Sequence, residues 1–491
     1  GASALTANTT GGLNAAVGYV ALVSNTTGSF NTAVGTCALY ANTTGVCNMA
    51  SGYMALRVNT TANNNTAFGT KSLYSNSTGA SNTASGTKSL CGNTTGAQNT
   101  ASGMYSLVNN TTASNNTAFG ASALFTNTTG ACNTAVGRSA LYANTTGPFN
   151  TGTGFKALTT NTTGSHNTAS GSYVMNANTT GACNTASGAY ALYANTTGSQ
   201  NTATGYLALK SNTTASYNTA YGSCALYCNT TGANNTATGF KALAANSTGA
   251  NNTGVGYAAL LANTTGAKNH ATGYYALVTN TTGANNTASG YSSLKSNTTG
   301  QLNAAAGSCA LYSNTTGQAN IALGGNAGAS NTTGNDNVFL GYAACGSSAT
   351  AQNQIVIGYG ADGLGDNQTV IGNTSTTNTT IFGTVSAPDA TFGAVMESGL
   401  ADPALVEHDE GTVLVWENGH LIPCYQEYDH RVVGVLKENH DTPIVMGAEP
   451  VLVTGIISEG DFIVTSEKSG HGKRGVSNNL FGKVIAQALE D

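Results

Sequence analysis

With 491 residues the chain is long enough for about three ordinary globular domains, yet only 7% of its residues are charged and 63 are Gly. The net charge of −5 conceals a split: residues 1–341 carry nine bases and one acid, whereas residues 384–491 carry six bases and seventeen acids. Nine bases over that length are too few to track phosphates, which argues against nucleic acid as a partner, and no apolar run exceeds a strand, which argues against membrane insertion.

The chain opens at Gly1 in mid-phrase, without an initiator Met, and reads as a processed chain or a segment of a longer one. From there to Gly341 one phrase repeats. Asn recurs at 14, 31, 48 and onward to 337 without a miss, each time with Gly four residues later. A second Asn, at 8, 25, 42 and onward to 331, opens NTTG or a close variant. Leu holds a third column from Leu5 to Leu311, interrupted only by Met175, until Gly328 takes the slot. The unit is N-T-A-x-G-x-x-(A/S)-L-x-x-N-T-T-G-x-x, and its period of 17 admits no insertion or deletion over twenty units.

Low charge with weak hydrophobicity often means disorder, but a disordered chain needs no fixed period. Helix is disfavoured because every unit carries β-branched Thr, Asn and Gly, and helical solenoid repeats are about 33 residues or longer. The pattern therefore predicts an all-β chain whose shaft, residues 1–341, is a parallel β-solenoid or β-roll with one coil per unit. Each coil is expected to hold a short strand around N-T-A-x-G, a second around x-(A/S)-L-x-x, and turns at Gly and NTTG. Stacking of equivalent residues gives the rigid period a cause, because an insertion would push a whole column out of register. Twenty coils rising about 4.8 Å each make a rod of roughly 100 Å.

In GYYALVTNTTGANNTASGYSSLKSNTTG, residues 273–300, the expected ladder and turn columns are Asn280, Thr281, Thr282, Gly283, Asn286 and Gly290, with Leu277 and Ala288 inside. One Leu and two small residues per coil bury little. Parallel association, as a homotrimer before a self-sufficient single-chain solenoid, is expected to supply the missing burial. Recognition is left to the variable slots. Tyr257, Tyr274, Tyr291 and Lys295 are candidate receptor or glycan contacts, although Tyr columns would serve equally between subunits.

Other motifs carry weaker signals. NTTG is formally an N-glycosylation sequon, so Asn8, Asn25, Asn42 and their equivalents would be acceptors in a protein secreted by a eukaryote, although the ladder needs the same residues. Cys47, Cys132 and Cys183 share a column and stand about 24 and 14 Å apart along the axis, too far for intrachain bridges. They read as unpaired small residues, with bridges across subunits as the other option.

From Ile321 the phrase changes to NIALG, NVFLG, QIVIG and QTVIG, and the Gly spacing drops from 17 to 14 and then to 11 at Gly383. Residues 342–383 thus read as a tapering cap. Residues 384–491 read as an acidic, β-rich module, with a hairpin in TVLVWENGHLIP around Asn418-Gly419 and further strands in PVLVTG and FIVTS. Five of the seven histidines (His408, His420, His430, His440 and His471) lie there without metal-site spacing, and Gly470-His471-Gly472-Lys473 lacks phosphate-loop spacing and reads as a polar turn. No metal or cofactor is expected.

The late units resemble the head repeats of trimeric autotransporter adhesins, and the phrase N-T-A-x-G-Y-x-A-L-x-x-N-T-T-G is similar to the repeats of bacteriophage tail fibres and related virion fibres. EYDHRVVGVL (427–436), GAEPVLVTG (447–455), EGDFIVTS (459–466), GHGKRG (470–475) and FGKVIAQALED (481–491) resemble a β-rich module common near the ends of such fibres. The resemblance implies trimeric fibres, binding to a host surface, and often a further C-terminal intramolecular chaperone that is cleaved away; no catalytic residue of that chaperone has a counterpart here. The expected function is a non-enzymatic fibre of a phage or phage-like virion, a rigid spacer and attachment appendage in the virion or the extracellular space. Its expected partners are itself, host cell-surface glycan or protein, and other virion proteins. A cellular extracellular adhesin or filament subunit is the alternative. Ice binding is a minor one, because adjacent Thr9 and Thr10 cannot both face one plane.

Overall fold

The computed structural model describes residues 1–377 in full and, beyond them, the backbone of seven short strands between Val413 and Gln487. The chain divides into two units, 1–379 and 380–491. The first is a parallel β-solenoid of 22 three-residue strands, one per coil, from Ala15–Val17 to Thr369–Ile371. Each strand pairs in parallel with its equivalent in the next coil, Thr168 with Thr185 and Ala169 with Ala186, so the sequence period is the structural period. The later change of spacing does not interrupt the sheet, because Ile355 pairs with Thr369 in the same sense. Gly383 lies outside the described residues.

The second strand expected around x-(A/S)-L-x-x does not form. In a strand, successive side chains point to opposite faces. Here sequence neighbours such as Ala21 and Leu22 are both fully buried in the one interior of the coil, and an extended backbone with its other face outward would turn one of them to water. The chain instead turns both inward with left-handed residues, φ 49° at Val20 and 50° at Leu22, a pair repeated as far as Cys309 and Leu311. Left-handed backbone costs a non-Gly residue about 1–2 kcal/mol. Hydrogen bonding between coils offsets that cost. The Leu22 N–H donates to Ala38 O at 3.0 Å, that of Val20 to Ala2 O at 3.1 Å, and that of Ser24 to Tyr40 O at 3.3 Å. The turn is therefore laterally bonded, as a strand would be.

The interior is the expected one, with the Leu22, Ala33 and Ala38 columns fully buried along the rod. Where Ser replaces Ala before the Leu, its hydroxyl stays paired: Ser72, Ser89 and Ser106 donate to the carbonyl of the Gly three residues earlier at 2.9, 2.9 and 2.8 Å. That bond removes the penalty for burying a hydroxyl.

One coil solves the packing differently. Phe339 occupies an Ala slot and is fully buried, while Gly328 occupies the Leu slot one coil earlier and keeps a φ of 60°. A Cβ on Gly328 would collide with the Phe339 ring and lie 3.0 Å from Leu311 Cδ2, so the ring fills the volume that Leu vacates. Gly328→Leu alone is expected to destabilise by about 1–3 kcal/mol through overpacking. Phe339→Ala alone is expected to cost about 3–5 kcal/mol through the cavity it leaves. Together they rebuild the ordinary Leu–Ala coil and cost much less than the sum. Urea midpoints of the two single variants and the double variant measure that coupling, and simple additivity would refute the exchange.

In the second unit, Val413–Glu417 pairs antiparallel with His420–Pro423, Glu417 opposite His420; the turn expected at Asn418-Gly419 lies outside the described residues. Strands at Val453–Thr454 and Phe462–Thr465 fall within PVLVTG and FIVTS. Gly472 and Lys473 belong to a strand paired with Phe462–Thr465 instead of the polar turn expected there. Pairing with a β-branched partner has overridden their weak local propensity. The histidine side chains of this unit lie outside the described residues.

Candidate functional site

The two Asn columns are wired differently, and both wirings close on one atom. Asn280 Nδ2 donates to Asn263 Oδ1 at 2.7 Å and to Gly283 O at 2.9 Å, and its own Oδ1 accepts from Asn297 Nδ2 at 2.7 Å. This is an amide ladder along the axis. Asn286 donates its backbone N–H to Asn269 Oδ1 at 3.0 Å and its Nδ2 to Gly300 O at 2.8 Å, with a longer amide bond from Nδ2 to Asn269 Oδ1 at 3.2 Å. Gly300 O also accepts from Asn297 Nδ2 at 3.0 Å, so both amides of that coil converge on a single carbonyl. Fully buried amides thus brace each coil internally and to its neighbour.

The other ladder residues divide. Thr281 Oγ1 donates to Thr298 O at 3.1 Å, whereas the Thr282 side chain is exposed and only its N–H reaches that carbonyl, at 3.3 Å. Gly283 is buried, Gly290 has a φ of 136°, and Leu277 is fully buried at a φ of 50°. The sequon residues Asn25 and Asn42 are fully buried, with both amide hydrogens engaged. A glycan on either is incompatible with the folded coil. Asn8, at the start of the rod, donates only to Gly11 O, at 2.9 Å, and is half-buried.

The outer surface is partitioned by charge. On the strand face, formed by the Thr32 and Val34 columns, there is no acid and no base apart from His270. Towards Ile371 this face becomes apolar, with Ile321, Leu323, Leu340, Ile355 and Ile371 between 39% and 53% exposed. A second face combines the Tyr19, Val20 and Val23 columns, which touch one another through ring pairs such as Phe155–Tyr173 and Tyr190–Tyr193. Every Lys and Arg of residues 1–341 except Lys268 lies on it. Each of these eight bases stands 5.0 to 5.9 Å from the centroid of at least one ring of the same face.

The candidate contact residues gather here. Phe240, Tyr257, Tyr274 and Tyr291 form one continuous stack within the chain, with centroid separations of 5.3, 5.0 and 5.5 Å and interplanar angles of 25°, 14° and 4°. Lys295 Nζ donates to Tyr312 Oη at 2.9 Å, and the same base-to-Tyr bond recurs at Arg57–Tyr74 (2.8 Å) and Lys210–Tyr227 (3.2 Å). Bonding to the phenol raises the Lys295 and Lys210 pKa above the ordinary lysine value. The Tyr275 hydroxyl, followed by burial, pushes the Tyr274 phenol up to about 12. Lys295 and Lys210 therefore stay cationic, and Tyr274 neutral, throughout the physiological range. Near Tyr227 and Lys241 it dips into a groove of 530 Å³ lined also by Leu207, Cys224 and Leu261.

Reading the sequence for single contacts missed this convergence of bases. The signal was present, since Lys71, Lys88, Lys156 and Lys241 occupy one column of the repeat. Nine cysteines of the described residues are free thiols, and burial pushes the Cys91 thiol up. Among the described residues no group of three His, Cys, Asp or Glu side chains is placed to hold a metal, and no helix is long and apolar enough to cross a membrane. No known protein family matches the chain, and no curated protein does.

Proposed function

We propose that the chain is a structural fibre of a phage or phage-like virion, acting as a rigid spacer and host-attachment appendage and assembled as a parallel homotrimer. The observation that carries this reading is the unbroken register of 22 parallel strands, whose outer face holds no acid or base but His270. The Ala and Leu interior is already closed within one chain, and the exposed Ile and Leu of that face are what association would withdraw from water between copies. The likeness of NIALG and of the C-terminal phrases to fibre and adhesin sequences supports the same reading. The acidic C-terminal unit is then a distal or connecting module, and the remaining partners are other virion proteins and a host-surface glycan or protein.

Light scattering should give the mass of three chains, and electron microscopy a rod of roughly 100 Å for the solenoid. Leu323→Asp with Leu340→Asp, two charges on the strand face, should shift the mass to one chain. A monomeric wild type at micromolar concentration would overturn the trimer. Release of oligosaccharides from host polysaccharide would overturn the non-enzymatic reading. A cellular adhesin or filament subunit would use the same rod, and secretion genes beside its gene, in place of virion genes, would favour it. Ice binding gains one observation, because 15 of the 22 strands open with Thr and form an outward column. Phe68, Phe119 and Tyr221 protrude from the adjacent column and spoil a flat array, and thermal hysteresis decides the point.

A further inference from the structure

We propose that the cationic–aromatic stripe binds a sparsely charged acidic polysaccharide laid along the rod. This rests on the attachment reading and gives it a ligand class and a face. The charge is one-sided: residues 1–335 contain nine bases and no acid, so no acid of those coils pairs with the stripe. Its bases are also held in place. Arg57 stands 5.4 and 5.7 Å from the rings of Tyr40 and Tyr74 and donates to the Tyr74 hydroxyl at 2.8 Å, so little side-chain freedom is left to lose on binding.

Spacing selects the polyanion. Between Arg57 and Lys295, eight bases are spread over fifteen coils, on average one charge in every second coil, or about 10 Å. Phosphates along a nucleic acid strand recur about every 3.4 Å, so most would meet no base. A polysaccharide with one carboxylate per disaccharide carries its charges much farther apart and offers apolar sugar faces between them. The intervening Tyr and Phe rings, such as Tyr274 at 42% and Tyr291 at 56% exposure, suit those faces. Self-association through the stripe is disfavoured, since two copies would oppose like charges, whereas the strand face carries neither acid nor base but His270.

The test uses the full chain with hyaluronate, neutral dextran and single-stranded DNA, at low and high salt, together with a mass measurement on each protein. The wild type should bind hyaluronate in a salt-sensitive manner and ignore dextran. The triple variant Lys210→Gln, Lys241→Gln, Lys295→Gln should lose about tenfold or more in affinity while keeping its mass, as expected for lost charged contacts. Tyr274→Ala should weaken binding without changing the salt dependence, and Lys268→Gln, on another face, should change nothing. Equal binding of dextran, preference for DNA, or an equal loss in Lys268→Gln would overturn the proposal. So would a changed mass in the triple variant, which would make the stripe a contact between copies. A trimeric wild type that ignores hyaluronate overturns the stripe and leaves the fibre standing; a monomer that binds it through these lysines overturns the trimer and leaves the stripe standing.

Discussion

Asn280→Asp is expected to lower the stability of the rod by about 3–5 kcal/mol, although it exchanges one amide nitrogen for oxygen. Asn280 is fully buried, and its Nδ2 faces two acceptors, Asn263 Oδ1 at 2.7 Å and Gly283 O at 2.9 Å. A carboxylate there replaces two donors by an acceptor and turns both bonds into repulsions, in a place where water cannot screen the charge. Only the bond from Asn297 Nδ2 survives. Asn280→Ala removes the charge problem but leaves Asn297 Nδ2 with one partner fewer, and should cost less, about 1–3 kcal/mol.

The pH dependence of the Asp variant has a definite sign. Its folded-state pKa is raised by burial above the unfolded value of about 3.9, so the deficit is largest at neutral pH and shrinks as the carboxyl protonates on acidification. Urea midpoints of wild type and variant at neutral and acidic pH make the comparison. A gap that stays constant with pH would mean that the side chain has swung out to water. Because each coil touches only its neighbours, the damage should be local, and protease cleavage should concentrate in the coils around residue 280.

The period, the parallel strand and the buried Ala and Leu columns were readable because a solenoid writes each contact twenty times. Thr168 meets Thr185 for the same reason that Asn167 is followed seventeen residues later by Asn184. The left-handed turn was harder to see, since propensity rules penalise Leu at positive φ and favour a strand for Ala-Leu flanked by Tyr or Val. Yet two adjacent columns that stay uncharged up to Ala344 and Cys345, at Ala21 and Leu22, already imply two neighbours turned to one interior, which a strand with one face outward does not provide. The Asn columns looked alike in the sequence. Which one builds an amide ladder and which one caps a backbone N–H depends on where Gly283 O and Gly300 O lie, and that is a property of the closed coil. The stripe was legible only in projection: Lys241 and Lys295 are 54 residues apart in the chain but on one face.

The two Gly columns of the phrase give the sharpest contrast, because Gly290→Ala and Gly283→Ala are the same substitution with opposite expected outcomes. Gly290 has a φ of 136°, open to Gly and strained for any L residue, and a Cβ would lie 2.5 Å from Gly307 O and 2.7 Å from its carbonyl carbon. That obstacle is the backbone of the next coil, which cannot move without carrying its own column with it. The expected cost exceeds about 3 kcal/mol, the upper range of backbone strain alone. Gly283 has no positive φ; a Cβ there would also crowd the next coil, at Gly300 O, and its own Asn280 Oδ1, yet Ala62, Ala113 and Ala215 already occupy its column.

Those Ala coils show how the neighbour gives way. In a Gly coil such as 25–28, the Thr26 N–H reaches Thr43 O at 2.9 Å, with the Thr27 and Gly28 N–H groups both at 3.3 Å. In the Ala coils only the first bond remains, as Thr60 to Ser77 O, Thr111 to Thr128 O and Thr213 to Thr230 O, each at 3.1 Å. Gly283→Ala therefore forfeits two weak bonds and loosens a third by a few tenths of an ångström, while the lower freedom of Ala in the unfolded chain returns about 0.4–1 kcal/mol. Its net effect should stay within about 1 kcal/mol. Urea midpoints of the two variants decide the matter, and equal costs would show that the next-coil backbone at Gly307 is not what keeps the Gly290 column free of side chains.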